Sequence, residues 1–474
     1  MNRLKIMAFL ALILLLVACS HKLRAPDLSG LYNRAARYHD QTRNPVILIP
    51  GILGSKLIES GTGRVVWGEF AGNYANPTKP EGARLFSIPM KMGAPLKELR
   101  DSVVSIGTLD RVRVKLLGLP LNINAYFQIL DALGIGGYRD ESGVLGQIDY
   151  GKEHFTCFQF DYDWRLDNVE NARRLHQFIL RKRAYVQSEY AKRFGVENYD
   201  VKFDIVAHSM GGLIARYYLR YGDADLPEDG GTPTVTWAGT RYVDKVVLVA
   251  PPNAGSAEAL LQLVRGRKIG PLLPKYEPAV LGTLPSLYEL LPRDRHHPLV
   301  DAANPRRPIS GLYDPDLWIR FGWGLASRNQ DKVLQMLLPN VSGAKERRAI
   351  ALDHLRKCLS RAEQFEAALD VPADPPPNIS ISLIAGDATP TPRVIAVNKS
   401  DGSVEVVEDG PGDGEVLRTS ALMDERATGV WLPRVNSPIH WKNVLFLFSD
   451  HLELTRDPVF TQHSLSAAGT AIIT

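Results

Sequence analysis

The stretch that most constrains this chain is VKFDIVAHSMGGLIARYYLRYG, residues 201–222. An apolar run ends at Ala207-His208-Ser209-Met210-Gly211. A helical pattern begins at once, with Leu213, Ile214, Tyr217 and Tyr218 at the spacing of one helix face. Strand and helix follow without a spacer, so the helix must cross the strand it has just left. Small residues at Ala207 and Gly211 let them cross without collision. The turn pushes the Ser209 hydroxyl out at the carboxyl edge of a sheet. There the helix N-terminus and the Met210 N–H can stabilise a developing oxyanion. The usual pattern is G-x-S-x-G, and Ala207 replaces its first glycine. An ordinary βα turn that carries a serine would look the same over five residues, so the rest of the chain decides.

Elsewhere, short apolar runs alternate with helical patterns. This predicts an α/β fold with a mainly parallel sheet, its strands at 45–50, 155–160, 203–207, 245–250, 379–385 and 444–448. A β-hairpin is expected from 394–398 and 403–408, because Asp401-Gly402 between them suits a tight primed turn. Residues 68–120 and 256–375 do not fit the alternation and read as insertions. The second contains a predicted helix over 344–369. Placed above the carboxyl ends of the strands, it would form a cap or lid.

A serine becomes a useful nucleophile when a base lies within hydrogen-bond reach and an acid orients that base. In an α/β-hydrolase fold the chain order is Ser, acid, His, each on a loop after a strand. His451 follows the last apolar run by two residues and meets that requirement; His440 precedes the run, and His463 lies in the terminal stretch. For the acid, Asp387 directly follows the strand at 379–385, and position alone favours it. Asp413, between Gly412 and Gly414, is the other candidate. Upstream, Pro50-Gly51-Ile52-Leu53-Gly54 ends an early strand. The N–H of Ile52 or Leu53 could complete an oxyanion hole with Met210.

The chain opens MNRLKIMAFLALILLLVACS. Arg3 and Lys5 precede an apolar run too short to span a bilayer comfortably, followed by Leu16-Val17-Ala18-Cys19. Residues 1–18 therefore read as a lipoprotein signal peptide, Cys19 as a lipidated residue and 19–43 as a tether to a membrane surface. Ser20 after the cysteine points to the outer membrane of a bacterial envelope. The domain would then be 44–474. Removing Arg3 and Lys5 takes the formal charge from +4 to about +2, which argues against a nucleic-acid partner. Cys157 and Cys358 could pair in an oxidising compartment or stay as buried thiols. No Cys/His spacing suggests a metal, and no Gly-rich phosphate loop suggests a cofactor.

Taken together, these residues resemble the lecithin–cholesterol acyltransferase family, which includes lysosomal phospholipase A2-type acyltransferases. The resemblance rests on NPVILIPGILGSKL at 44–57, FDYDWRL at 160–166, AHSMGG at 207–212, APPNAGS at 250–256, PSLYELLP at 285–292 and Thr391-Pro392-Arg393. It implies that the acid lies in Gly412-Asp413-Gly414-Glu415-Val416 and so moves the choice to Asp413; Glu415 stands where the family usually has threonine. It also matches Asp450-His451-Leu452 to the base. Within FDYDWRL, Asp163 and Arg165 could pair and Trp164 could wall an acyl site, or the stretch could be a buried corner. The activity implied is lipid acyl hydrolysis or O-acyl transfer from a phospholipid or other lipid ester through Ser209. Two alternatives stand beside it: a non-catalytic envelope lipoprotein that binds lipid or a partner, and a carboxylesterase for small soluble esters.

Overall fold

The computed structural model describes residues 43–456, apart from 71, 110, 117–118, 125, 127–128, 131–132, 135–136, 143–153, 270–272, 429–435 and 452. The signal-peptide and tether readings over 1–42, including Cys19, and the candidate His463 lie outside the described residues.

Six strands build the central sheet: β1 (Val46–Ile49), β2 (Cys157–Gln159), β3 (Phe203–His208), β4 (Val243–Val249), β5 (Ser380–Gly386) and β6 (Trp441–Leu447). Each grows from one of the six apolar runs. Their order is β6-β5-β4-β3-β1-β2, and every neighbouring pair is parallel. β1 and β3 are buried from end to end, as parallel strands covered on both faces must be. Register places Ile49 beside Ala207, and His208 beside Val249.

Helix α1 (Asn168–Phe194) begins where the Asp167 carboxylate accepts the N–H groups of Val169 and Glu170, at 2.6 and 3.3 Å. It ends at Gly195, whose φ of 67° places it in the left-handed region that closes helices. Helix α2 (Met210–Tyr221) follows β3 directly. Its periodicity suggested one polar face, yet all twelve residues are buried. The cause is the second insertion. The long helix α3 (Ala344–Asp370) brings its C-terminal end over the outer side of α2. There Arg216 donates to the Leu369 carbonyl (3.0 Å) and to Asn253 (3.1 Å), and Tyr221 donates to the Ala368 carbonyl (2.7 Å). Polar groups that would otherwise need water are satisfied by backbone of the insertion and by the Asn253 side chain.

Two strands of that insertion, Leu299–Asp301 and Asn304–Pro308, join the hairpin Thr389–Val397 and Val404–Gly412 in a second, four-stranded sheet. The hairpin connection is longer than the two-residue turn that Asp401-Gly402 suggested. Asn398 and Asp401 each accept an N–H two residues on, from Ser400 (3.0 Å) and Ser403 (2.9 Å), so side chains build successive turns. Gly402, at φ 72°, supplies the left-handed residue near the end of this loop. Cys157 in β2 and Cys358 in α3 are buried free thiols. Among the described residues no helix is long and apolar enough to cross a membrane.

Candidate active site

Because the six strands are parallel, the loops that follow them share one edge of the sheet. Residues 50–54 follow β1, Ser209 follows β3, Ala250 follows β4 and residues 448–451 follow β6. His440, just before β6, sits at the opposite edge and pairs with Asp374 at 2.9 Å.

Ser209 sits at φ 52°, ψ −127°, a conformation that costs a non-glycine residue roughly 1–3 kcal/mol. It persists because the surroundings fix it. The Ser209 N–H donates to Val249 O at 2.8 Å, and its carbonyl accepts from Gly212 N at 2.9 Å. Gly211 must lack a side chain, since a Cβ there would lie 2.5 Å from Pro50 O. The Ser209 side chain does not cap its own helix, so it takes up none of the N–H groups at the start of α2.

The loop after β1 is clamped through its carbonyls. Tyr162 Oη donates to Pro50 O (2.7 Å), Trp67 Nε1 to Leu53 O (2.8 Å) and Trp164 Nε1 to Ser55 O (3.1 Å). Leu53 takes a φ of 63°. With these carbonyls committed, the N–H groups of Ile52, Leu53 and Met210 donate to no group among the described residues. FDYDWRL thus finds its place: it buttresses this loop. Trp164 is wholly buried against Trp67 and Phe86, so it does not wall an open acyl site. The Asp163–Arg165 pair does form, and Asp101 completes it with bonds of 2.9 and 3.0 Å.

A methyl group at position 51 would stand 2.8 Å from Ser209 Cβ and 3.2 Å from His208 O. Gly51→Ala should therefore push the loop off the serine. We expect turnover at saturating ester to fall about 10-fold or more, with the melting temperature moved by only a few degrees. Turnover and thermal unfolding measured on one preparation check this.

Asp413 reaches the same edge by way of the hairpin, not directly from β5. It bridges to Thr389, and a Cβ on Gly386, the last residue of β5, would lie 2.8 Å from its Cβ. One carboxylate oxygen, Oδ1, accepts from the N–H groups of Glu415 (3.1 Å) and Val416 (2.8 Å); the other, Oδ2, faces His451 Nδ1 at 2.9 Å. A second link joins the same residues, His451 N–H to Asp413 O at 2.9 Å. Asp387, which position alone favoured, is turned towards Arg418 at 3.5 Å. The hairpin carries the chain past it and back, which a reading of strand ends cannot foresee.

Burial alone would raise the Asp413 pKa, but His451 and the two backbone donors outweigh it and hold the carboxyl below its usual value. Burial alone would lower that of His451, but Asp413 reverses this and lifts the imidazole above 6.5. The His451 ring lies 4.9 Å, centroid to centroid, from the ring of His208, the residue before Ser209.

The remaining motifs act as supports. From APPNAGS, Ser256 Oγ donates to Glu415 O at 2.6 Å, and the Gly255 carbonyl accepts from Ser420 Oγ at 2.6 Å, so this turn steadies the acid loop. From PSLYELLP, Ser286 donates to Trp164 O (2.7 Å), and Glu289 accepts the Asn168 N–H at the start of α1 (2.8 Å). Sequence reading passed over Tyr126 and His208. The first belongs to an apolar series, Tyr126, Ile129, Leu130 and Leu133, that reads only as a packed helix face, and the second is hidden by its more conspicuous neighbour.

The sheet, the strained serine turn after β3 and the large insertion between β4 and β5 define an α/β-hydrolase fold. About 90% of the chain aligns with 98% of a chain in the crystal structure of the Tle4–Tli4 complex, with a TM-score of 0.54 and 16% identity, a likeness of fold alone. The family model for lecithin:cholesterol acyltransferase matches residues 138–409, more than half of the sequence, and the chain belongs to that family. Lecithin-cholesterol acyltransferase-like 4 of Arabidopsis thaliana is 25% identical over 230 residues, 46% of this chain. That match spans only 36% of the plant protein's length.

Proposed function

We propose that this protein is a serine-dependent acyl hydrolase or O-acyltransferase for lipid esters, phospholipids foremost, working through an acyl-enzyme on Ser209. The observation that carries the reading is the pairing of buried Asp413 with the part-buried His451 at the sheet edge where the strained Ser209 stands. Asp413 fixes the proton on His451 Nδ1 and leaves Nε2 free to accept. His451 takes the Ser209 hydroxyl proton as the oxygen attacks the ester carbonyl. The N–H groups of Met210 and of Ile52 or Leu53 stabilise the oxyanion. The intermediate collapses, the bond to the leaving alcohol breaks, and His451 returns the proton to that alcohol. Water or a second alcohol then enters with the same proton path and releases the acyl group as acid or ester.

Family membership supports the acyl-transfer class, and the reading of residues 1–18 as a lipoprotein signal ahead of Cys19 supports a site held near a bacterial outer-membrane surface. Product analysis tests the reading. Incubated with one defined phospholipid, the protein should release fatty acid; an added long-chain alcohol should divert part of the acyl groups into a new ester. A folded preparation that releases no acyl group under either condition, and takes up no fluorophosphonate, would leave a lipid-binding lipoprotein as the better account. Release from short soluble esters alone would favour the carboxylesterase.

A further inference from the structure

We propose that Tyr126 and His208 are positioning residues, and that a buried hydrogen-bond chain through them holds the oxyanion loop in register with the catalytic base. The proposal rests on the acyl-enzyme reading above. The chain runs from the His451 carbonyl to His208 Nε2 (3.2 Å), from His208 Nδ1 to Tyr126 Oη (3.0 Å), and from Tyr126 Oη to the Gly51 N–H (2.7 Å).

Its polarity is fixed at both ends. A carbonyl can only accept, so His208 Nε2 carries the proton and donates. Neutral imidazole then has a lone pair on Nδ1, which accepts from the Tyr126 hydroxyl. The tyrosine oxygen is left to accept the Gly51 N–H. Both side chains are almost fully buried, at 4% and 2% exposure, and their rings meet edge to face at 5.4 Å. Burial, then the nearby His451, press the His208 pKa down to about 3, so the neutral form that this polarity needs persists across the working range.

A buried histidine is often a satisfied core residue and nothing more. Here the chain joins two loops that chemistry requires to be in register and that lie about 400 positions apart in sequence. Gly51 is gripped on both sides: its N–H by Tyr126 and the preceding carbonyl, Pro50 O, by Tyr162. That grip sets the plane of the peptide leading to the Ile52 and Leu53 donors.

Tyr126→Phe keeps the ring and removes the link. Expected is a fall in kcat of about 10- to 100-fold per active site, sites being counted by fluorophosphonate taken up at completion. KM should stay within about twofold, whereas a boronic acid, which binds as a tetrahedral adduct, should weaken by a factor like that in kcat. The acid limb of kcat/KM should not move, because Asp413 still sets His451. His208→Gln cuts the Tyr126 link from the other side, and serves alone if Tyr126→Phe does not fold. Joined with Tyr126→Phe it should cost no more than either change singly. Wild-type kcat per site in either variant, or losses that multiply in the pair, would overturn the relay. Acyl release by Ser209→Ala would instead overturn the acyl-enzyme reading itself, so the two failures are distinguishable.

Discussion

Ser209→Ala should lower acyl release by roughly ten-thousand- to million-fold and abolish fluorophosphonate uptake, while the protein stays folded. The size follows from the mechanism: without the hydroxyl no covalent intermediate forms, and only binding and oxyanion donors remain to assist water. Folding should hardly change. Alanine keeps the Cβ and the φ of 52°, so it inherits the same backbone strain, and the serine side chain caps nothing. The buried surroundings of residue 209 stay as they are. Steady-state acyl release, labelling and a melting curve on the variant check each part. Retained turnover in the alanine variant, with the wild-type substrate profile, would mean that another group attacks the ester.

The sheet was legible because most of its strands are covered on both faces and are therefore written as short, mainly apolar runs; the edge strand β6 is largely exposed, and only its apolar end, 444–447, marks it. The candidate nucleophile and base were picked out in the same way: Ser209 stands just after one run and His451 a few residues after another, and the structure puts both at the edge where those strands end. What escaped was decided by packing across the chain. Asp387 occupies the position that strand order favours. The structure instead gives His451 a partner reached through a hairpin, and only the likeness of GDGEV to a family motif pointed there. Helix α2 read as amphipathic because its polar residues, Arg216 and Arg220, have partners some 150 positions away in the insertion. Tyr126 reads locally only as one member of an apolar series with Ile129, Leu130 and Leu133; the part proposed for it is visible only from what its hydroxyl touches.

Asp413→Asn should lower kcat on the order of ten-thousand-fold, and the reason lies in which oxygen is already engaged. Oδ1 accepts two backbone N–H groups, from Glu415 and Val416, so an amide at this position must keep its carbonyl oxygen there. Its NH2 then faces His451 Nδ1, which can only accept. The ring proton is forced onto Nε2, and that nitrogen can no longer take the serine's proton. The pH profile should move as well. In the wild type Asp413 holds the His451 pKa above 6.5, so kcat/KM falls as pH drops through that raised value. In the variant the carboxylate is gone while burial, which disfavours imidazolium, remains; the acid limb should shift to lower pH. Stability has the opposite sign. Protonated His451 stabilises the wild-type fold fully below the unfolded-state value near 6.5, and that contribution is lost as pH rises through the folded value. Between pH 6 and 8 the wild type should therefore lose melting temperature relative to the variant while gaining activity. An acid limb left in place by Asp413→Asn would mean that another carboxylate orients the base.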